Sequence, residues 1–225
     1  MKEKDKNDEN QDEGAVKKEV NNSAGKSYYT QRNNKIKPGS ACNVTSMIIA
    51  LSAAGWPVEK FAPKGEQPED ELMRFIMTDP VTLGRWKQID PKGEIPPNQW
   101  HEILSLGTNR FLKKHGFDSS PAAFRLSVSV EEITAAIDSG GAAVMSGVFP
   151  QENKKPLNHI AGIVGYGDDE KGFYWIIDDP WGCYHSLYKN HNGNDVRMPL
   201  ADFNAIAKPQ NQARKWAHII RKFER

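Results

Sequence analysis

The hydrophobic period of this chain changes once, near Ala142, and that change limits the folds open to it. Upstream, apolar residues recur at helical spacing. Val44, Met47, Ile48 and Leu51 fall on one stripe, and Gly55-Trp56-Pro57 ends it. Ser40 or Asn43 is the expected cap of this helix. Further helices are predicted over Glu69–Met77, over about Asn98 to Lys114 with Trp100, Ile103, Leu104 and Phe111 inward, and over Val130–Ser139. The last opens with Glu131 and Glu132, acids that suit the positive end of a helix. Pro80, Pro91, Pro96 and Pro97 break up the stretch between the second and third. Downstream, Ala142–Val148, His159–Tyr166 and Phe173–Asp178 read as strands rich in Val, Ile and aromatics. The polar run Gly167–Gly172 joins the last two as a hairpin. A fourth strand is expected at Tyr184–Tyr188, and Trp216–Phe223 forms a terminal strand or helix. Helices first and an antiparallel sheet second is an α+β layout, not alternating βαβ units.

Charge narrows the function classes. The 225 residues hold 30 Lys and Arg against 29 Asp and Glu, so no concentrated basic surface points to nucleic acid. Residues 1–26 carry six of the lysines and seven of the acids, with few apolar members, and read as a disordered charged tail. The folded part then begins near Ser27, and residues 27–225 form one domain with a helical insertion at about 57–130. No run approaches the roughly 18 apolar residues of a membrane span, so stable membrane insertion is not expected. No apolar segment follows the charged start, which argues against a signal peptide and for synthesis in the cytoplasm. Action at a cell wall would need another route of release. Two cysteines make no disulfide framework.

Cys42 stands at the start of the first helix. Unpaired N–H groups and the helix dipole stabilise a thiolate at such a place, although a free Cys is also commonly a small buried hydrophobe. A nucleophilic thiol needs a base and a group that orients it. His159 opens the first strand of the hairpin, 117 positions on. His115 looks like a charge at a helix end, His191 sits in an Asn- and Gly-rich loop, and His101 and His218 read as solvent-exposed. His185 remains a competitor. A turn centred between Asp169 and Glu170 sets His159 opposite Pro180, and a one-residue slip sets it opposite Asp179. Asp178 or Asp179 then holds the imidazole, and pattern alone does not choose between them. Cys183, His185 and His159 as metal ligands lack a second closely spaced pair.

The runs Tyr28-Tyr29-Thr30-Gln31 and Gly39-Ser40-Ala41-Cys42-Asn43-Val44-Thr45-Ser46-Met47 resemble the opening of papain-like cysteine peptidases. The resemblance is closest to the bacteriocin-leader (double-glycine) peptidase-like family. His159-Ile160-Ala161-Gly162-Ile163-Val164-Gly165-Tyr166 and Ile177-Asp178-Asp179-Pro180-Trp181-Gly182 look like its histidine strand and Asp-Pro-x-Gly turn. The resemblance implies a papain-like fold, with Cys42 as nucleophile, His159 as general base and acid, and Asp179 as the orienting acid. It further implies Gln31 and the Cys42 N–H as oxyanion donors, with no metal or organic cofactor. The family's usual Cys-Gly-Pro-Thr is Cys42-Asn43-Val44-Thr45 here, and eleven positions, more than is usual, separate Gln31 from Cys42.

The expected activity is hydrolysis of peptide bonds, with peptides or bacterial peptidoglycan stem peptides as substrate. Acyl transfer to an amine uses the same residues. A non-enzymatic module would instead bind ligand on the aromatic stretch that includes Trp56, Phe61, Phe75, Trp86 and Trp100.

Overall fold

The computed structural model describes residues 18–152 and 154–224; most of the expected charged tail, residues 1–17, lies outside them. In chain order the elements are β1 (Lys18–Asn21), α1 (Cys42–Ala53), α2 (Pro68–Ile76), α3 (Pro80–Ile89), α4 (His101–Lys114), β2 (Ala122–Val128), α5 (Val130–Asp138), β3 (Ala142–Phe149), β4 (Leu157–Asp169), β5 (Gly172–Asp178), β6 (Val196–Pro199), α6 (Leu200–Ile206) and β7 (Lys215–Ile220). The strands make one antiparallel sheet in the order β2-β7-β3-β4-β5-β6. β1 pairs with Gly165–Asp168 of β4, beyond the part that β3 occupies.

The α+β reading holds, and a hydrophobic core lies on each face of the sheet. Val44, Met47, Ile48 and Leu51 of α1, all with no exposed surface, pack with Ile160 and Val164 of β4. Each such buried aliphatic side chain contributes roughly 1.5–3 kcal/mol. On the other face Ile133 and Ile137 of α5 and Phe203 of α6 cover Ile163, Trp175 and Ile177. Alternate residues of β4 therefore serve opposite cores, as a fully buried strand requires.

Several expectations need correction. Lys18–Asn21, within the expected disordered tail, is a strand, because the alternating Lys-Glu-Val-Asn run completes an otherwise open edge of β4. The 57–130 segment is not purely helical, since β2 joins the sheet at its margin. Pro80 starts a helix and does not break one. Asp79 caps it by accepting from the Thr82 N–H at 2.9 Å, and proline at the first turn forfeits no helix bond. Tyr184–Tyr188 is no strand: a short 3₁₀ turn leads into Leu187 and Tyr188 at φ 55° and 67°, a left-handed path incompatible with a sheet ladder. The next strand is β6. The terminal segment is a strand ending at Ile220. Trp56 and Phe61 are buried, and Phe75, Trp86 and Trp100 pack against the same core.

The β4–β5 hairpin turns on two residues, Glu170 and Lys171, with Gly172 at φ 101°. Its ladder pairs Asp169 with Gly172, and a bulge at Val164 shifts the pairing by one residue further along. The register predicted from the sequence is therefore wrong. β5 ends at Asp178, so His159 has no ladder partner on that side.

Candidate active site

Cys42 is the first residue of α1, and the cap before it is Ala41, which makes no side-chain cap bond. Neither Ser40 nor Asn43 fills that role. The Asn43 carboxamide is turned elsewhere: its Oδ1 accepts from the Val44 N–H at 2.9 Å, and its Nδ2 donates to the Asn98 carbonyl. The helix thus begins without a side chain closing over the half-buried thiol.

Two contacts seat α1 on β4. The Ser46 hydroxyl donates to the Ile160 carbonyl at 2.8 Å, one residue from His159. Ile49 lies so close to Gly162 that a Cβ there would meet its Cγ2 at 2.7 Å. Glycine is needed for this approach, and the approach sets the separation of helix and strand.

His159 is 5% exposed and sits opposite Gly147 of β3. Phe149 and Tyr188 meet its ring nearly edge-on, with centroids 5.2 and 6.1 Å away. Its Nε2 lies 2.7 Å from Asp179 Oδ1, which leaves Nδ1 as the ring atom available to a thiol. Burial alone would push this imidazole down. The Asp179 charge and hydrogen bond, with smaller hydrogen-bond and charge contributions from Cys42, overcome it and raise the pKa to about 10. The structure therefore brings Cys42 and His159 together.

Asp179 has no exposed surface and is saturated with donors. Oδ1 also accepts from the Trp181 N–H at 2.8 Å, and Oδ2 from the Tyr188 hydroxyl at 3.1 Å. Burial first, then the neighbouring carboxylate, holds the Tyr188 phenol far above its usual range, so it remains a donor. The turn after Asp179 closes through Gly182 at φ 130°, where a Cβ would strike the Asn190 carbonyl oxygen at 2.5 Å. Tyr28 fastens the backbone of the same turn: its hydroxyl donates to the Asp179 carbonyl at 2.6 Å and accepts from the Gly193 N–H at 3.2 Å. Asp178 faces away and accepts from the Asp195 N–H at 2.8 Å. Burial lifts its pKa to about 6. Of the two acids left open by the sequence, only Asp179 meets the histidine.

Gln31 reaches the same cleft despite its distance in sequence. The Asp70 carboxylate accepts from the N–H groups of Lys35 and Ile36, both at 2.9 Å, which folds the intervening loop back. Gln31 is 2% exposed, and its Nε2 donates to the Pro38 carbonyl at 2.7 Å, leaving the second amide hydrogen unassigned and Oε1 without a partner. Its backbone N–H is bonded to the Pro180 carbonyl, so the oxyanion candidate and the Asp179 turn are tied directly.

A cleft of about 320 Å³ opens over Cys42 and His159, with Gln31 and Trp181 on its walls. Arg32 lies 3.8 Å from the Trp181 ring centroid and donates to its carbonyl. Sequence reasoning missed Tyr188 and Tyr28, whose contacts arise only once the 179–193 loop folds back. It also misjudged His101 and His218. His218 is 1% exposed, and His101 lines the cleft. His185 bonds the Arg197 carbonyl, away from the thiol. Among the described residues no group of three His, Cys, Asp or Glu side chains is placed to hold a metal ion.

This arrangement can be set against known proteins. The profile of the Peptidase_C39 like family matches residues 25–197. A crystal structure of a chain from Bacillus anthracis, described as a C39-like peptidase, superposes with a TM-score of 0.54 at 17% identity, covering 92% of this chain and all of that one. Cysteine proteinase COT44 of Brassica napus is 31% identical over 84 residues, and a cysteine proteinase of Theileria parva 38% identical over 85. Each match takes in 34% of this chain, which spans only 26% and 17% of the length of those two proteins. With the profile covering more than half of its length and this fold beneath it, the chain belongs to the Peptidase_C39 like family and has the papain-like architecture of the cysteine peptidases.

Proposed function

We propose that the chain hydrolyses peptide bonds with Cys42 as nucleophile, His159 as proton carrier and Asp179 as the acid that orients it. The observation that carries this reading is the imidazole held between a buried carboxylate on Nε2 and the thiol side of the ring. A histidine kept protonated at neutral pH makes the thiolate its natural partner. The thiolate attacks the scissile carbonyl, and the negative oxygen forms beside the Cys42 N–H and the second amide hydrogen of Gln31. His159 gives its proton to the departing amine, leaving an acyl-enzyme and a neutral imidazole. That imidazole then takes a proton from water as the water attacks the thioester. The tetrahedral intermediate collapses to the carboxylic acid product and expels the thiolate, restoring the thiolate and the protonated His159.

For the substrate we propose a short polar peptide, with bacterial cell-wall stem peptides or cross-bridges as the foremost class. Amide side chains line the cleft, among them Asn98, Gln99, Gln151 and Asn158, and supply hydrogen-bonding groups for the polar backbone of a peptide. Among the described residues no helix is long and apolar enough to cross a membrane. Wild type and Cys42→Ala are incubated with purified peptidoglycan and with a peptide library, and new termini are read by mass spectrometry. New termini made by wild type alone support the reading. Equal products from both proteins, or none from either substrate, contradict it.

A further inference from the structure

Beside the catalytic groups the cleft carries polar machinery that peptide-bond hydrolysis does not use. His218, buried beneath the cleft, has Nδ1 2.7 Å from the Ser105 hydroxyl and Nε2 3.0 Å from Nδ1 of His101. Ser105 is buried as well, while His101 stands on the cleft wall with its ring stacked on Phe124. The ring Nε2 of His101 has no protein partner among the described residues. Placing two imidazoles and a hydroxyl in a core is costly unless each is satisfied and the arrangement serves something. Here the chain of hydrogen bonds ends on a residue of the cleft wall, His101, whose second ring nitrogen is unpaired among the described residues.

The charge of the lining points to what meets that atom. Lys208 lines the same cleft, and its ammonium donates only to Asn158 Oδ1, at 2.9 Å, next to His159 in sequence. Among the described residues it has no carboxylate partner, and no Asp or Glu lines the cleft. Burial first, then Lys208, holds His101 down at about 4, so it is an uncharged donor or acceptor at neutral pH. A carboxylate favours one proton arrangement throughout: Ser105 donates to His218 Nδ1, His218 Nε2–H to His101 Nδ1, and His101 Nε2–H to the ligand.

We propose that this wall is a specificity subsite for a carboxylate on the substrate peptide, with Lys208 as its counter-charge and His101 as its neutral hydrogen-bond donor. The inference rests on the peptidase reading above and names the substrate class of the same cleft. His101 and Lys208 select the substrate and play no part in the transfer of protons to or from Cys42.

The test uses the full chain and matched peptides with Glu, Gln or Lys at each position around a cleaved bond. At one position wild type should prefer Glu by about tenfold in kcat/KM, the scale of one partly desolvated charge pair. Lys208→Gln should abolish that preference, Lys208→Glu should turn it toward Lys, and His101→Phe should weaken it. Cleavage that needs Cys42 but shows no acid preference, or a preference unmoved in Lys208→Glu, overturns the subsite and spares the peptidase. A readout without turnover keeps the two apart: the alkylation rates of Cys42 by anionic iodoacetate and neutral iodoacetamide. Lys208→Glu should lower their ratio at least about fivefold by local charge alone. An unchanged ratio overturns the proposal even if no peptide is cleaved.

Discussion

Asp179→Asn removes one charge from the centre of the site and little else. Asn can keep Oδ1 facing His159 Nε2 and the Trp181 N–H, and present its NH₂ to the Tyr188 hydroxyl, which then accepts instead of donating. The fold should therefore survive. What is lost is a charge-assisted hydrogen bond to a buried imidazolium, a difference of roughly 1.5–3 kcal/mol. At 1.36 kcal/mol per unit this corresponds to a fall of about one to two units in the His159 pKa. The direction follows from the causes: burial pushes the ring down, Asp179 holds it up at about 10, and the variant loses the charge that opposes burial. The same pair has a stability signature. A pKa raised above the usual 6.5 contributes stability that is full below that value and is lost as pH rises through about 10. An NMR titration of the His159 ring in both proteins measures the shift, and the alkaline limb of kcat/KM should move with it. A ring that titrates identically in the two proteins would refute the assignment of Asp179 as its electrostatic partner.

Other consequences are as specific. Gly162→Ala forces a Cβ against Ile49 and should cost ~1–3 kcal/mol in thermal stability; it should slow alkylation of Cys42 as α1 lifts from β4, and Ile49→Ala should restore both. Tyr188→Phe leaves Asp179 Oδ2 short of a donor in the core and should cost about 1 kcal/mol of stability, with a lower kcat, read by denaturant melts and kinetics. Asp178→Asn retains an acceptor for the Asp195 N–H but removes an acid whose raised pKa of about 6 penalises the folded state once ionised; its melting temperature should rise at pH 8 and not at pH 4. Gln31→Ala should lower kcat by about tenfold or more with KM little changed, as expected for a donor used mainly in the transition state.

The parts of this site written in local pattern were legible. The apolar stripe from Val44 to Leu51 predicts α1, though not its cap, and the Val- and Ile-rich runs predict β3 to β5. What failed depends on partners distant in the chain or on a single turn. The hairpin register rests on a two-residue turn and a bulge at Val164, neither visible in composition. Lys18–Asn21 looks like solvated tail until the open edge of β4 is there to pair it. His101 and His218 lie 117 positions apart, among charged and aromatic neighbours that suggest exposure, and only the packing of α4 against the sheet buries them as a pair. The choice of Asp179 over Asp178 was likewise closed to pattern, because β5 stops before either acid can face His159 across a ladder.

The central claim is that a thiol at the tip of α1 is activated by His159. Cys42 and Cys183 are both half-buried, so the second serves as an internal control for the first. The direct measurement is competitive iodoacetamide labelling of the two at pH 6, mapped by mass spectrometry in wild type and in His159→Ala. Labelling of Cys42 at least about tenfold faster, with the advantage gone in the variant, is the predicted result. Equal rates at the two cysteines, or a Cys42 advantage that persists without His159, would contradict it.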